Sequence, residues 1–333
     1  MFEQQESMAL LGGIIISIAT SFNYYTTGRV TGMSGIYSGF IFFEKYSFHW
    51  RATFIFAMMA TTVFLWNFFG FGSCFDEPTV FVKNLSKPGY FVAGLLVGLG
   101  TKLGNGCTSG HGICGLPRLS IRSWVFVPIF LVFGILTATY RDSNPFFVDE
   151  TPYEGYSMKQ YGLILNSVLL TACTIIVVLF TLYSFIFTNR DKMFDIVFAS
   201  ITAVLFAIGL IVSGMNKRSK ILGFLTINQN WDPSLMLVLC GAVGLNFITM
   251  NLMTKTILGK RLEVVTNKTI DFRLILGGIL FGIGWGLGGL CPGPGFILFP
   301  FFTPHISLSW FGGLTIGQYI IKMYENILKP KKN

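Results

Sequence analysis

Two cysteines, Cys107 and Cys291, each close a run of glycines, and the two runs superpose without a gap at an offset of 184 residues. The first, residues 93–124, reads AGLLVGLGTKLGNGCTSGHGICGLPRLSIRSW, and the second, residues 277–295, reads GGILFGIGWGLGGLCPGPG. The offset sets Gly94 on Gly278, Gly98 on Gly282, Gly100 on Gly284, Gly104 on Gly288 and Cys107 on Cys291. So little side-chain bulk lets another backbone or a small ligand come close. Thiols at the ends of such runs suit a ligand with a large, soft atom, because S–H is a weak and polarisable donor.

Around the first cysteine stand Lys102, Asn105, Thr108, Ser109, His111, Cys114, Arg118 and Arg122, and neither glycine run contains a carboxylate. Hydroxyls, backbone N–H groups and positive potential favour an anion over a cation. Other roles remain open for several of these residues. Asn105 either caps a helix or coordinates, Cys114 has no counterpart in the second run, and Arg118 either anchors the chain at the cytosolic interface or attracts substrate. His111 follows Cys107 by four residues, the spacing of a metal pair on a helix, but Thr-Ser-Gly between them argues against a helix there. No resident metal or cofactor is expected. Cys74, Cys173 and Cys240 read as packing or loop residues, and the scatter of six cysteines argues against a disulfide framework.

The elements that must position these residues are membrane helices. Of 333 residues, 52% are hydrophobic, 16% aromatic and only 12% charged, and the mean hydropathy is +0.64. That composition excludes an ordinary soluble domain. The formal net charge of +9 lies in single basic residues between apolar runs, not in a stripe, so it marks positive-inside loops and not nucleic-acid binding. The N-terminal MFEQQES lacks the basic start of a signal peptide.

Apolar spans are predicted over about 8–25, 50–71, 91–106, 123–140, 161–187, 194–213, 233–254, 271–290 and 296–321, with a polar-glycine turn over 26–39. This makes an all-α polytopic membrane protein of about nine segments. Residues 1–140 form a first membrane repeat, 141–192 an acidic connecting loop and an extra helix, 193–323 a second repeat, and 324–333 a basic tail. An odd count puts the termini on opposite faces, with the C-terminus cytosolic, and makes the halves inverted-topology repeats. Lys217, Arg218 and Lys220 then fall outside, marking either a pore mouth or a miscounted span. A weaker echo pairs Thr27-Gly28-Arg29 with Ser213-Gly214-Met215.

Phe91–Gly106 as a helix spans about 24 Å, short against about 30 Å of hydrocarbon. Pro292 and Pro294 stop the second run. Short broken or re-entrant helices meeting near the midplane are the simplest geometry, with Gly104, Gly106, Gly110, Gly288 and Gly293 at the breaks. Interrupted helices at matching places in inverted repeats point to a transport site.

The stretch LGNGCTSGHGICGLPRLSIRSW (103–124) resembles the signature of the YeeE/YedE family of sulfur-transport membrane proteins, and GIGWGLGGLCPGPG (282–295) resembles that family's second-half motif. The resemblance implies a fused two-half permease that carries thiosulfate or a related sulfur anion inward past cysteines, and it supports Cys107 and Cys291 as substrate contacts. Characterised thiosulfate importers use a further cysteine near the entrance of the first repeat, whereas LLGGIIISIATSFNYYTTGR has none. The expected function is uptake of a small sulfur-containing anion, thiosulfate first, with thiols lining the path and no enzymatic step. Its partners are the bilayer, the anion and a cytosolic sulfur-handling acceptor, in a plasma or internal membrane. Two alternatives remain, a sulfur-relay enzyme forming a persulfide on Cys107 and a soft-metal transporter. With no G-x-x-x-x-G-K-[ST] motif, the driving force is a gradient or downstream consumption.

Overall fold

In lipid every backbone N–H and C=O needs a partner within the protein, so apolar runs of this length fold as helices. The computed structural model describes residues 2–70, 75–76, 85–148, 162–187, 190–259, 262–263, 267–301 and 304–328, and all regular structure among them is helical. The first half comprises α1 (Phe2–Thr27), α2 (Met33–Ile41), α3 (Phe48–Phe69), α4 (Lys87–Gly104), a wide π-type segment (Thr108–Gly115) and α5 (Ile121–Ser143). After α6 (Gly162–Phe187), the second half comprises α7 (Arg190–Ser213), α8 (Arg218–Leu225), α9 (Ser234–Leu252), α10 (Phe272–Gly288), α11 (Pro292–Leu298) and α12 (Pro304–Leu328).

Each of the nine expected spans contains a helix. Seven described stretches are long and apolar enough to cross a membrane, namely those in α1, α3, α5, α6, α7 and α9 and the stretch Phe272–Leu298, which takes in α10 and α11. The structure departs from the sequence expectation at two places. The stretch read as a turn holds α2, because beyond Gly28 the apolar residues Met33, Ile36, Tyr37 and Phe40 recur at helical spacing, the first three buried. The last span begins at Pro304, not near 296, since Pro292 and Pro294 open the separate short helix α11. Of the expected features, Cys74, Asp149, Glu150, Glu154, Lys159, Lys260, Arg261 and the tail residues Lys329, Pro330, Lys331 and Lys332 lie outside the described residues.

The same 184-residue offset that aligns the glycines also aligns their contacts. A Cβ on Gly98 would strike the Leu314 carbonyl of α12, and one on Gly282 would strike the Phe130 carbonyl of α5. Leu314 and Phe130 are themselves 184 apart. A Cβ on Gly100 would meet Gly277 and Phe281, and one on Gly284 would meet Ala93 and Val97, again the same pairs exchanged. At these positions the contacts of α4 and α10 are reciprocal. Because Gly104 lies by Gly277 while Ala93 lies by Gly284, α4 and α10 run antiparallel. They overlap side by side instead of meeting tip to tip. Phe126, Phe130, Phe281 and Trp285 fill the α5–α10 seam with tilted and edge-to-face ring contacts. Helix α6 packs against α3 and α7 and exposes Val178, Leu179, Leu182 and Phe185.

Candidate functional site

Both glycine helices end the same way. Asn105 (φ 57°, ψ 43°) and Gly289 (φ 64°, ψ 21°) occupy the left-handed region just past the last helical residue, and each amide returns to its own helix, at Thr101 O and Trp285 O. Two residues later Cys107 and Cys291 are extended, and each caps the next short element, the π-type segment and α11. The reversal after each cap brings the cysteines together from opposite ends of the α4–α10 pair. Thr108 Oγ1 donates to Cys291 Sγ at 3.6 Å, so the residue after one cysteine holds the other. Cys107 is 1% exposed and Cys291 2%, and protein closes around both thiols.

A third short element completes the cluster. The N-terminal turn of α2 aims its free amides at the first cysteine: Met33 N donates to Ser109 Oγ at 3.0 Å and Ser34 N to Cys107 Sγ at 3.4 Å. Cys107 Sγ and Ser109 Oγ lie 3.3 Å apart. Gly32 and Gly110 face one another so closely that a Cβ on either would touch the other's Cα at 3.7 Å. The Met33 side chain reaches α11, where a Cβ on Gly293 would meet its Cγ at 3.4 Å. Thus Cys107, Thr108, Ser109 and Cys291, singled out from sequence, share one buried locus with Met33 and Ser34, which sequence reasoning missed. The signal for the missed pair was the Thr27-Gly28 echo of Ser213-Gly214. Gly28 and Gly214 share the same positive φ, 76° and 73°, and each precedes a short helix.

The remaining candidates lie around this locus. His111 Nε2 contacts Gly104 O at 3.1 Å, and Nδ1 contacts Ser123 Oγ at 2.9 Å. A carbonyl accepts only, so Nε2 carries the proton and Nδ1 accepts from the serine. With both nitrogens engaged and its ring on Phe126, His111 ties the end of α4 to α5. Gly106 lies against that ring. Cys114 is fully buried beside the Thr31 backbone. Arg118 donates to Cys114 O at 3.0 Å and Glu263 O at 2.8 Å. Lys102 reaches Ser38 Oγ at 3.4 Å and lies over the Phe42 ring. Asn105 is exposed at its cap. Among the described residues no group of three or more His, Cys, Asp or Glu side chains is placed to hold a metal ion.

Sequence reasoning also missed a buried polar hub beneath the π-type segment. Asn246 of α9 accepts at Oδ1 from Ser17 and Ser21, both at 2.8 Å, and donates from Nδ2 to Thr20 Oγ1 and Ile113 O, both at 2.9 Å. It joins α1, α9 and the segment that carries the thiol site.

Residues 7–137 match a family described as sulphur transport, and residues 194–332 match a family of unknown function, DUF6691. The gap between the matches holds α6 and the link between halves. Two proteins named probable transporters, from Xylella fastidiosa strains Temecula1 / ATCC 700964 and 9a5c, are 39% and 38% identical to this chain over 132 residues. Each match spans 39% of this chain and 91% of the relative. A further probable transporter of strain 9a5c is 39% identical over 95 residues, spanning 27% of this chain and 65% of that protein.

Proposed function

The chain belongs to the YeeE/YedE family of sulfur-transport membrane proteins, and from that premise we propose that it takes up a small sulfur anion, thiosulfate first, by way of Cys107 and Cys291. The observation that carries this reading is the link from Thr108 to Cys291 Sγ, which joins both half-motifs in one buried, carboxylate-free cluster. The antiparallel α4–α10 pair supports an inverted arrangement of the halves, with the breaks near the bilayer midplane and the C-terminus cytosolic.

In the proposed passage the anion accepts weak S–H contacts from one cysteine and then the other, forming no covalent bond. A thiol donates only while it keeps its proton. Thr108, Ser109 and the amides of Met33 and Ser34 supply the remaining donors once they turn from each other to the ion. The thiols are sealed here, so passage requires the short elements to part. Those elements are α2, the π-type segment and α11, which are held by few main-chain bonds of their own. Lys102 and Arg118 supply positive potential at the periphery, and a cytosolic sulfur-handling protein receives the product.

The test is uptake of radiolabelled thiosulfate into cells lacking their own importers, comparing the intact chain with Cys107→Ala and Cys291→Ala at matched expression. Uptake by the intact chain that disappears in both variants is expected. Uptake that survives both substitutions would keep transport and remove the thiol path. A correctly inserted chain that carries no thiosulfate would move the reading to another sulfur anion.

A further inference from the structure

At the end of α5 remote from Arg118, a cavity of about 300 Å³ is lined by Arg141, Asp142, Arg218, Ser219, Asn228 and Asn230. Arg141 is 7% exposed and Arg218 1%. Two guanidinium groups on one small polar cavity repel each other, and an anion between them converts that repulsion into two attractions. Asp142, which also lines the cavity, accepts from Asn228 Nδ2 at 3.1 Å. Arg218 Nε donates at 2.7 Å to the carbonyl of Gly288, the last residue of α10 and three positions before Cys291 in the sequence.

A second observation shows that the floor of this cavity accepts negative charge. Asp76, from the link between α3 and α4, puts Oδ2 on Ser219 N at 2.9 Å and Oδ1 on Ser219 Oγ. Ser219 is the second residue of α8, as Ser34 is of α2. Where Ser34 N meets the thiol of Cys107, Ser219 N meets a carboxylate. The second half thus carries an internal anion at the place where the first half carries sulfur.

We propose that this cavity is a docking site for a divalent tetrahedral oxyanion, gripped by Arg141 and Arg218, and that Asp76 competes with the ligand for the donors of Ser219. The planar fork of a guanidinium matches two oxygens of such an ion. As a substrate vestibule the site rests on the transport reading above; as an anion site it is measured by binding alone. A phospholipid headgroup offers related phosphate chemistry, and the experiment separates the two sources.

The purified full chain in detergent is titrated calorimetrically with sodium sulfate and sodium thiosulfate, and co-purifying phospholipid is quantified by mass spectrometry. Arg141→Gln is expected to weaken sulfate binding about tenfold, the loss of one close charge partner, while Arg141→Lys restores part of it. Asp76→Asn is expected to tighten binding several-fold. Equal melting temperatures for Arg141→Gln and the intact chain establish that the fold survives. Sulfate affinity unchanged in Arg141→Gln, or weakened in Asp76→Asn, would overturn the proposal. So would phospholipid that is lost in Arg141→Gln from a chain that binds no sulfate. If sulfate binds in an Arg141-dependent way but cells take up no thiosulfate, the anion site stands and the thiosulfate reading falls.

Discussion

The hydroxyl of Thr108 donates to the sulfur of Cys291 across 3.6 Å, although 183 residues separate them. This bond joins the two half-motifs through their own chemical groups, where α4 and α10 meet by glycine packing. It makes the second cysteine part of the first cysteine's surroundings, so a change at one is felt at the other.

Replacing Thr108 by cysteine therefore sets a thiol beside Cys291 without moving either backbone. Oxidation of Thr108→Cys with a copper–phenanthroline complex is expected to form a Thr108→Cys–Cys291 disulfide, detected as a cross-linked peptide by mass spectrometry. A disulfide needs a Cβ separation of about 3.5–4.5 Å, and the Oγ1–Sγ contact of 3.6 Å puts the two side-chain ends within reach of one another. The bond would also hold the sealed arrangement shut, so oxidised cells should lose uptake and regain it on reduction. Absence of the cross-linked peptide in an inserted, oxidised protein would mean that the two cysteines do not meet.

The glycine seam makes a contrasting prediction about stability. A Cβ on Gly100 would overlap the Phe281 amide and the Gly277 carbonyl, backbone atoms that cannot turn away. A Cβ on Gly244, within α9, would meet nothing within 4 Å. Gly100→Ala should cost about 1–3 kcal/mol or more through overpacking. Gly244→Ala should gain up to about 1 kcal/mol from helix propensity. Melting in detergent, followed by size exclusion, reads both signs, and equal melting of the two variants would refute the seam.

That contrast also shows what the sequence could carry. Glycines at a constant offset encode backbone approach directly, because the requirement is local: no Cβ is admissible at Gly98, Gly100, Gly282 or Gly284. The helix ends at Asn105 and Gly289, and the extended cysteines after them, follow from the same alignment. The short helix α2 was not legible, since nine residues that include Gly35 and Gly39 read as a glycine-rich turn as readily as a helix. Nor was the role of His111, whose distance from Ser123 in sequence conceals a bond at 2.9 Å. Asn246, Asp76 and Arg218 depend on partners more than 65 residues away, and no spacing rule links them.

Asn246 tests whether the hub beneath the π-type segment supports the site. Asn246→Leu removes the donor to the Ile113 carbonyl and leaves the hydroxyls of Ser17 and Ser21 without their shared acceptor. Each buried polar group so stranded costs about 1–3 kcal/mol. The variant should melt earlier and lose uptake. Asn246→Asp keeps the acceptor for the serines but loses the Nδ2 donor, so it should retain part of the stability. Full stability in Asn246→Leu would show that the hydroxyls find other partners and that the hub is dispensable.

Asp76 carries a pH signature whose sign is fixed by its burial. Desolvation is the largest influence and pushes its carboxyl above the usual range, against the lowering effect of its hydrogen bonds to Ser219 and of the nearby Lys217 and Arg218 charges. A group whose folded pKa lies above its unfolded value binds its proton more tightly in the folded state. The resulting stabilisation is complete below the unfolded pKa of about 3.9 and is lost as pH rises through the raised folded value. Asp76→Asn removes that dependence, because an amide does not titrate. As pH rises from about 4 through the raised folded value, the melting temperature of the intact chain should therefore fall relative to Asp76→Asn. The amide can still accept from Ser219, so the α8 N-terminus should stay capped and the variant folded. Parallel melting curves across the whole range would mean that Asp76 is not desolvated on the floor of the cavity, and would remove the physical basis for its competition with an incoming anion.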